Sequence, residues 1–296
     1  MSTPQTAVDI TPPSPREMMR ITLGLTIVCL LASAILGGFY LWTEPAKARN
    51  VAAREQKLIS QLLDLSPSAE VQEIRRYLLW RGSQLKIFYL TPRQLVQFDA
   101  SGKLLATTEV PEPVREASAP AEKDTWVEAN SGANDEDDFR YVGRFFSGIE
   151  ANQVAGYVIE GEVPGFKTWI RFFVAINSDY SLRGIEIIEH EEDPGLGDQI
   201  TEPYFKNQYA GRSFDALLGI EVTKDPLPRE WRDAVESLGD ETGFSEWIVK
   251  YADELPSHPD IHAITGATIS SVAVTDGVKR SLGNFRKRMD LVEDYL

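Results

Sequence analysis

The pattern of apolar and polar positions first separates a membrane-length segment from the rest of the chain. Residues 21–42 carry no charged side chain. As a helix rising about 1.5 Å per residue they reach roughly 33 Å, enough to cross a bilayer once. Tyr40 and Trp42 end the run, where aromatic side chains settle at the interface. The W-T-E-P that follows offers no small-residue cleavage site, so the pattern predicts an uncleaved anchor rather than a signal peptide.

A linker helix is predicted over residues 43–66, because Leu58, Leu62 and Leu65 recur at helical spacing. Basic residues lie on both sides of the apolar run, and a count of positive charge alone would place the C-terminal bulk inside. Glu44 and Glu55 alternate with the basic residues after the run, however, as on a solvated helix face. The charge pattern therefore leaves both orientations open.

Runs rich in β-branched and aromatic residues predict strands beyond the linker. Residues 85–90 and 95–106 form a β-rich stretch, and D-A-S-G, between two apolar runs, predicts a hairpin turn. Three more strands are predicted at 154–163, 168–177 and 182–190, paired as neighbours.

Residues 110–138 shift to Pro, Ala, Ser, Glu and Asp, which predicts a mobile acidic loop. The acidic run 135–138 lacks the alternating spacing of calcium ligands, so a solvated loop is favoured over a metal site.

Helical segments are predicted at 203–216, at 227–251 and after residue 268, where Val274, Val278, Leu282 and Phe285 form an apolar stripe. The fold class is therefore α+β: one N-terminal transmembrane helix, then a soluble domain with a mostly antiparallel sheet and packed helices. The predicted organisation is a tail (1–20), the transmembrane helix (21–42), the linker helix (43–66), a β-rich membrane-distal extension with the acidic loop (67–138) and the main domain (139–296).

Charge and cysteine content exclude several classes of partner and of binding site. A net charge of -15 argues against nucleic acid or an anionic lipid surface as a partner. The single cysteine, Cys29, lies in the apolar run and excludes an intrachain disulfide and a thiolate metal site. Three scattered histidines do not predict a metal cage. Any redox chemistry must come from an organic cofactor or a partner.

The stretch T-G-A-T-I-S-S, residues 265–271, precedes the final helical stripe. The N-terminus of a helix presents unpaired N–H groups and favours a phosphate. Gly266 and Ala267 keep the approach open, while Thr265, Ser270 and Ser271 can cap the helix or donate to phosphate oxygens. Taken alone, the stretch is more often a capped turn.

Two motifs in order give the stretch a more specific meaning. T-G-A-T-I-S-S resembles the flavinylation motif of the FMN-binding domain family, and H-E-E-D-P-G-L-G upstream is similar to that family's H-x-E-T-P-G-L-G loop. The anchor followed by W-T-E-P-A-K-A-R resembles the G subunits of Rnf-type ion-translocating ferredoxin:NAD oxidoreductases. The C subunit of sodium-translocating NADH:quinone oxidoreductases is a near relative and stays open as an alternative.

The resemblance implies a membrane-anchored electron-transfer subunit, a redox part of a translocase with no independent catalysis. Its cofactor would be FMN, bound covalently by a phosphoester to Thr268 after transfer from FAD by a magnesium-dependent flavin transferase. The first 20 residues would be cytoplasmic, the anchor would span the inner membrane once, and the FMN domain would face the periplasm. Its partners would be the other membrane subunits of the complex.

The family pattern also implies which residues surround the cofactor. They are Thr265, Gly266, Ala267, Thr268, Ser270 and Ser271 of the first motif, and Glu192, Pro194, Gly195, Leu196 and Gly197 of the second. No metal site and no catalytic residue are implied. Asp193 stands where the family has threonine, which would add negative charge near the flavin.

Two interpretations from other classes remain. One is a membrane-anchored flavin sensor or regulatory protein, and the other is a periplasmic binding or scaffold domain without flavin. Flavin that stays with the denatured protein would exclude the second.

Overall fold

The computed structural model describes residues 14–239 and 243–296. Residues 1–13 of the predicted tail lie outside this range. The chain divides into two compact units, residues 1–52 and 53–296.

The first helix, α1 (Pro15–Leu62), is continuous through the predicted transmembrane and linker segments. Ser14 and Glu17 form a capping box at its start: the Ser14 N–H donates to Glu17 Oε2 (2.9 Å) and the Glu17 N–H donates to Ser14 Oγ (3.4 Å). Among the described residues, α1 is the one helix long and apolar enough to cross a membrane. The boundaries predicted at residues 20 and 42 therefore lie inside one helix.

An eight-stranded antiparallel sheet is the frame of the second unit, in the order β4-β3-β2-β1-β5-β6-β7-β8. The strands are β1 (Glu70–Arg81), β2 (Gln84–Leu90), β3 (Gln94–Asp99), β4 (Leu104–Glu109), β5 (Asp138–Glu150), β6 (Gln153–Pro164), β7 (Trp169–Asn177) and β8 (Leu182–Glu189). The predicted pairing of β6, β7 and β8 as neighbours is confirmed. So is the D-A-S-G hairpin turn, in which the Gly102 N–H donates to Asp99 O (3.1 Å).

The central pair of the sheet, β1 and β5, crosses the boundary predicted at residue 138. These strands pair from Glu70 with Ile149 to Trp80 with Asp138. The strands of residues 67–138 therefore continue the sheet of the main domain and do not form a separate extension.

The prediction of a mobile acidic loop over 110–138 is wrong. This segment contains two helices, α2 (Glu112–Arg115) and α3 (Pro120–Ser131). Val127 is fully buried in an apolar cluster with Tyr77 and Phe88. Asp124 accepts hydrogen bonds from Arg75 Nη2 (2.8 Å) and the Tyr77 hydroxyl (2.7 Å). Burial of one face and these polar contacts hold α3 against the sheet.

The remaining elements are α4 (Pro203–Lys206), α5 (Phe214–Gly219), α6 (Arg229–Glu236), α7 (Phe244–Tyr251), α8 (Thr268–Val292) and a parallel pair of short strands, β9 (Val222–Thr223) and β10 (Ile261–His262). The predicted apolar stripe of α8 is buried in the main core. A Cβ at Gly277 would lie 2.5 Å from Val163 Cγ1, so glycine there allows α8 to approach β6. This packing fixes the N-terminus of α8 relative to the sheet.

Candidate functional site

The two sequence motifs meet at one pocket at the N-terminus of α8. The cavity has a volume of about 400 Å³. Seven of the predicted site residues line it: Glu192, Leu196, Gly197, Gly266, Ala267, Thr268 and Ser270. Pro194, Gly195 and Thr265 are exposed beside it, and Ser271 is buried behind it.

A tight turn brings the T-G-A-T motif to the pocket. The Ala267 N–H donates to Ile264 O (2.9 Å), and Gly266 has a φ of +83°, in the left-handed region that glycine adopts without strain. A Cβ at Gly266 would lie 3.1 Å from Leu196 Cδ2. Glycine therefore allows both the turn and the close approach of the P-G-L-G loop.

Thr268 is the first residue of α8 and is partly exposed at the pocket. The first N–H groups of a helix have no intrahelical acceptor, and they carry a partial positive charge. The Thr268 side chain thus lies where an anionic group bound at the pocket would be stabilised.

The predicted capping role of the motif's hydroxyl groups is wrong. The N-cap residue is Ala267, and the cap has no side-chain hydrogen bond. The Ser271 hydroxyl accepts from the Ile264 N–H (3.1 Å) and donates to Ala267 O (3.0 Å). The Ser270 hydroxyl donates to Glu192 Oε2 (2.5 Å). Both serines therefore bind protein atoms and hold the turn in place.

Glu192 lies at the centre of the second motif and is only 5% exposed. Its Oε1 accepts from the backbone N–H groups of Phe166 (2.9 Å) and Lys167 (3.2 Å), in the turn between β6 and β7. The Glu192 N–H donates to His190 Nδ1 (3.2 Å), which makes this nitrogen an acceptor. Glu192 is thus joined both to the motif's histidine and to the neighbouring turn.

The P-G-L-G loop turns tightly after Asp193. Asp193 O accepts from the N–H groups of Leu196 (3.1 Å) and Asp198 (3.3 Å), and Gly195 has a φ of +76°. The loop leaves Leu196 47% exposed. It therefore presents an apolar side chain at the pocket.

Sequence analysis missed two apolar side chains that line the pocket. Phe166 and Ile269 are 61% and 59% exposed. With Leu196 they form an apolar rim suited to a planar aromatic ligand. The signal that could have found them was their position: Ile269 lies inside the first motif, and Phe166 lies in the turn before a predicted strand.

The charge of Asp193 is paired, contrary to the expectation that it adds negative charge to the site. Lys167 Nζ forms an ion pair with Asp193 Oδ1. The hydrogen bond and the charge of Asp193 raise the pKa of Lys167. The positive charge of Lys167 thus offsets the negative charge of Asp193 at the edge of the pocket.

A buried arginine positions the segment that leads into the T-G-A-T turn. Arg212 is 6% exposed and donates to the backbone oxygens of His258 (2.7 Å) and Pro259 (2.8 Å). Burial lowers the pKa of Arg212 to about 10. Gln208 adds a second contact, because its Oε1 accepts from the His262 N–H (2.8 Å).

Within residues 14–239 and 243–296, no group of three His, Cys, Asp or Glu side chains is placed to hold a metal ion.

Comparison with known proteins finds a family match over the segment that contains the pocket. Residues 165–283 match the FMN-binding domain family. The chain is 28% identical over 127 residues to the G subunit of the ion-translocating oxidoreductase complex of Methanosarcina acetivorans, covering 38% of this chain and 68% of the relative. It is 28% identical over 152 residues to the G subunit of the proton-translocating ferredoxin:NAD(+) oxidoreductase complex of Clostridium ljungdahlii, covering 50% of this chain and 65% of the relative.

The comparisons also give a sequence match and a solved structure from a second type of complex. The chain is 33% identical over 122 residues to the C subunit of the Na(+)-translocating NADH-quinone reductase of Yersinia pestis, covering 33% of this chain and 46% of the relative. The crystal structure of Shewanella oneidensis NqrC aligns with 80% of this chain and 98% of its own, with a TM-score of 0.43 and 15% identity. The matches to the three relatives by sequence thus span 46% to 68% of their lengths.

All the residues that line the pocket, and both motifs, fall inside the matched segment. The resemblance found in the sequence is thereby confirmed: residues 165–283 match the FMN-binding domain family, and the chain is similar, at modest identity, to the G subunits of Rnf-type complexes.

Proposed function

We propose that the protein is a membrane-anchored electron-transfer subunit of an Rnf-type ion-translocating ferredoxin:NAD oxidoreductase that carries FMN on Thr268. One observation carries the proposal: the pocket joins the partly exposed Thr268 at a helix N-terminus to the P-G-L-G loop. The similar proteins are named as G subunits of ion-translocating oxidoreductase complexes.

The residues of the pocket fit FMN in chemical character. A phosphate on Thr268 Oγ would lie beside the first N–H groups of α8, where the helix favours negative charge. Phe166, Leu196 and Ile269 supply apolar surface for the isoalloxazine. The cavity of about 400 Å³ is within the range of cofactor sites.

Thr268 acts in this proposal as a tether. A flavin transferase would use FAD and magnesium to form the bond between Thr268 Oγ and the FMN phosphorus, as AMP leaves with the bridging oxygen and the hydroxyl proton passes to solvent. Once bound, FMN supplies one-electron transfer. The protein holds the cofactor in place and catalyses no separate reaction.

The proposal also includes the membrane anchor and the partner subunits. Helix α1 is long and apolar enough to cross a membrane once. The resemblance to Rnf-type G subunits supports an FMN domain on the periplasmic side, with the other membrane subunits as partners. A covalent bond suits that side, because a cofactor that dissociated there would be diluted.

The test is coexpression of the full chain with a flavin transferase. The denatured, gel-separated chain is expected to fluoresce as a flavoprotein, and it should not do so without the transferase. Absence of fluorescence under both conditions would reject the covalent flavin and favour a binding or scaffold domain.

A second candidate is the C subunit of a sodium-translocating NADH:quinone oxidoreductase, favoured by the 33% identity to the Yersinia pestis protein. Mass spectrometry of the complex purified from native membranes would identify the companion subunits. Ferredoxin-dependent reduction of NAD would support the first candidate, and quinone-dependent oxidation of NADH would support the second.

A further inference from the structure

The buried carboxylate of Glu192 connects three segments that form the pocket. It accepts hydrogen bonds from two N–H groups of the turn after β6 and from the Ser270 hydroxyl in the first turn of α8. All three partners donate, so both oxygens act as acceptors, as in an ionised carboxylate. Glu192 forms no ion pair among the described residues. Hydrogen bonds from protein groups therefore satisfy both of its oxygens.

Two glycines enclose this carboxylate. A Cβ at Gly165 would lie 2.4 Å from Glu192 Oε1, and a Cβ at Gly197 would lie 2.6 Å from Glu192 Oε2. Larger residues at either position would displace the carboxylate from its donors. One glycine belongs to the turn after β6 and the other to the P-G-L-G loop, so both segments are shaped to hold Glu192.

These contacts connect Glu192 to the walls of the pocket. Phe166, whose N–H it binds, and Leu196, four residues further along its own loop, carry two apolar side chains of the rim. Ser270 lies two residues after Thr268 on α8. Fixing Glu192 therefore fixes the apolar rim relative to the proposed attachment residue.

We infer that Glu192 is a positioning residue, which holds the walls of the pocket around Thr268 through its hydrogen bonds and does not bind FMN directly. The inference rests on the proposed function for the identity of the ligand. The hydrogen bonds of Glu192 join protein atoms only, so they can be tested on the chain produced without a transferase.

The first measurement is hydrogen–deuterium exchange of the full chain produced without a transferase. Glu192→Ala should raise the exchange rates of the Phe166 and Lys167 amides at least about tenfold, because each loses a bond to a charged acceptor. Glu191→Ala, at the exposed neighbouring position, should leave them unchanged. Unchanged rates in Glu192→Ala would overturn the inference.

Conservative variants separate positioning from loss of fold. Glu192→Gln keeps an oxygen for the two amides and an amide group that can donate to Ser270, so it should restore most of the protection. Ser270→Ala removes one partner and should loosen the first turn of α8 while the sheet stays protected. If Glu192→Ala does not fold, failure of both variants to behave in this way would overturn the inference.

The second measurement is flavin attachment in cells that contain a transferase. Glu192→Ala should lower the flavin content at least about tenfold, in keeping with the loss of hydrogen bonds to a charged group, and Glu192→Gln should retain most of it. Normal flavin content in Glu192→Ala, despite faster amide exchange, would reject the positioning role. Absence of covalent flavin in the unaltered chain would instead reject the proposed function, and it would leave the exchange result standing.

Discussion

Replacing Arg75 with methionine tests whether α3 is an integral part of the sheet domain. Arg75 is 3% exposed, and its guanidinium donates to Tyr77 Oη (2.9 Å), Glu73 Oε1 (3.0 Å) and Asp124 Oδ1 (2.8 Å). Asp124 lies on α3, so the guanidinium joins this helix to β1. Methionine keeps much of the apolar volume but removes every one of these bonds.

The loss of unfolding free energy depends on the contacts that Glu73 and Asp124 keep after Arg75 is replaced. Removing one partner of a buried ion pair costs roughly 3–5 kcal/mol. Glu73 keeps ion pairs with Lys123 (2.8 Å) and Arg144 (3.1 Å), and the Asp124 side chain is 38% exposed. These remaining contacts favour the lower end, about 3 kcal/mol of unfolding free energy.

Urea denaturation of the full chain in detergent, followed by tryptophan fluorescence, measures this loss. Arg140→Met is the matched control, because Arg140 pairs with Asp138 at the surface, where the side chains are 65% and 47% exposed. The control should leave the free energy of unfolding close to that of the unaltered chain. An Arg75→Met variant as stable as the control would refute the argument that the buried network holds α3.

The same network predicts a dependence on pH. Burial alone would raise the pKa of Glu73, but Lys123, Arg75 and Arg144 outweigh it and hold the pKa at about 2. A depressed carboxyl pKa stabilises the folded state above the ordinary value near 4.5, and this stabilisation is lost as the pH falls towards 2. The contribution is about 3 kcal/mol at neutral pH, and Arg75→Met should make it smaller.

Three further substitutions test the site and its support. Gly266→Ala places a Cβ on a left-handed residue, φ +83°, and should destabilise the fold by about 1–2 kcal/mol and reduce flavin attachment, measured by thermal unfolding and flavin absorbance. Tyr209→Phe removes the 2.6 Å hydrogen bond to Thr275 on α8 and should cost about 1 kcal/mol in urea denaturation. Asp193→Asn removes the carboxylate that pairs with Lys167 and should raise the flavin reduction potential slightly, with spectroelectrochemistry as the assay.

Local features were predictable because their signals lie close together in sequence. The D-A-S-G turn, the strands β6 to β8 and the helix after T-G-A-T all follow from neighbouring residues. The pairing of β1 with β5 was not predictable in this way, because it joins positions as far apart as Glu70 and Ile149. Such pairing depends on the whole sheet, and no short pattern records it.

The prediction for residues 110–138 was wrong for a related reason. Composition predicted a loop at 110–138. In the structure, however, Val127 packs with side chains of β1 and β2, and Asp124 binds Arg75 of β1, far away in sequence. Burial of one helix face against the sheet overrides weak local propensity. In the pocket, the Glu192 to Ser270 bond spans 78 positions. The motifs thus located the site, while the contacts between them needed the fold.

Site mapping of the flavin tests whether Thr268 carries FMN. The chain is coexpressed with a flavin transferase and digested, and the flavin-bearing peptide is sequenced by mass spectrometry. We expect one FMN on Thr268 and complete loss of covalent FMN in Thr268→Val. Flavin on another residue, or a Thr268→Val chain that still carries covalent FMN, would contradict this expectation.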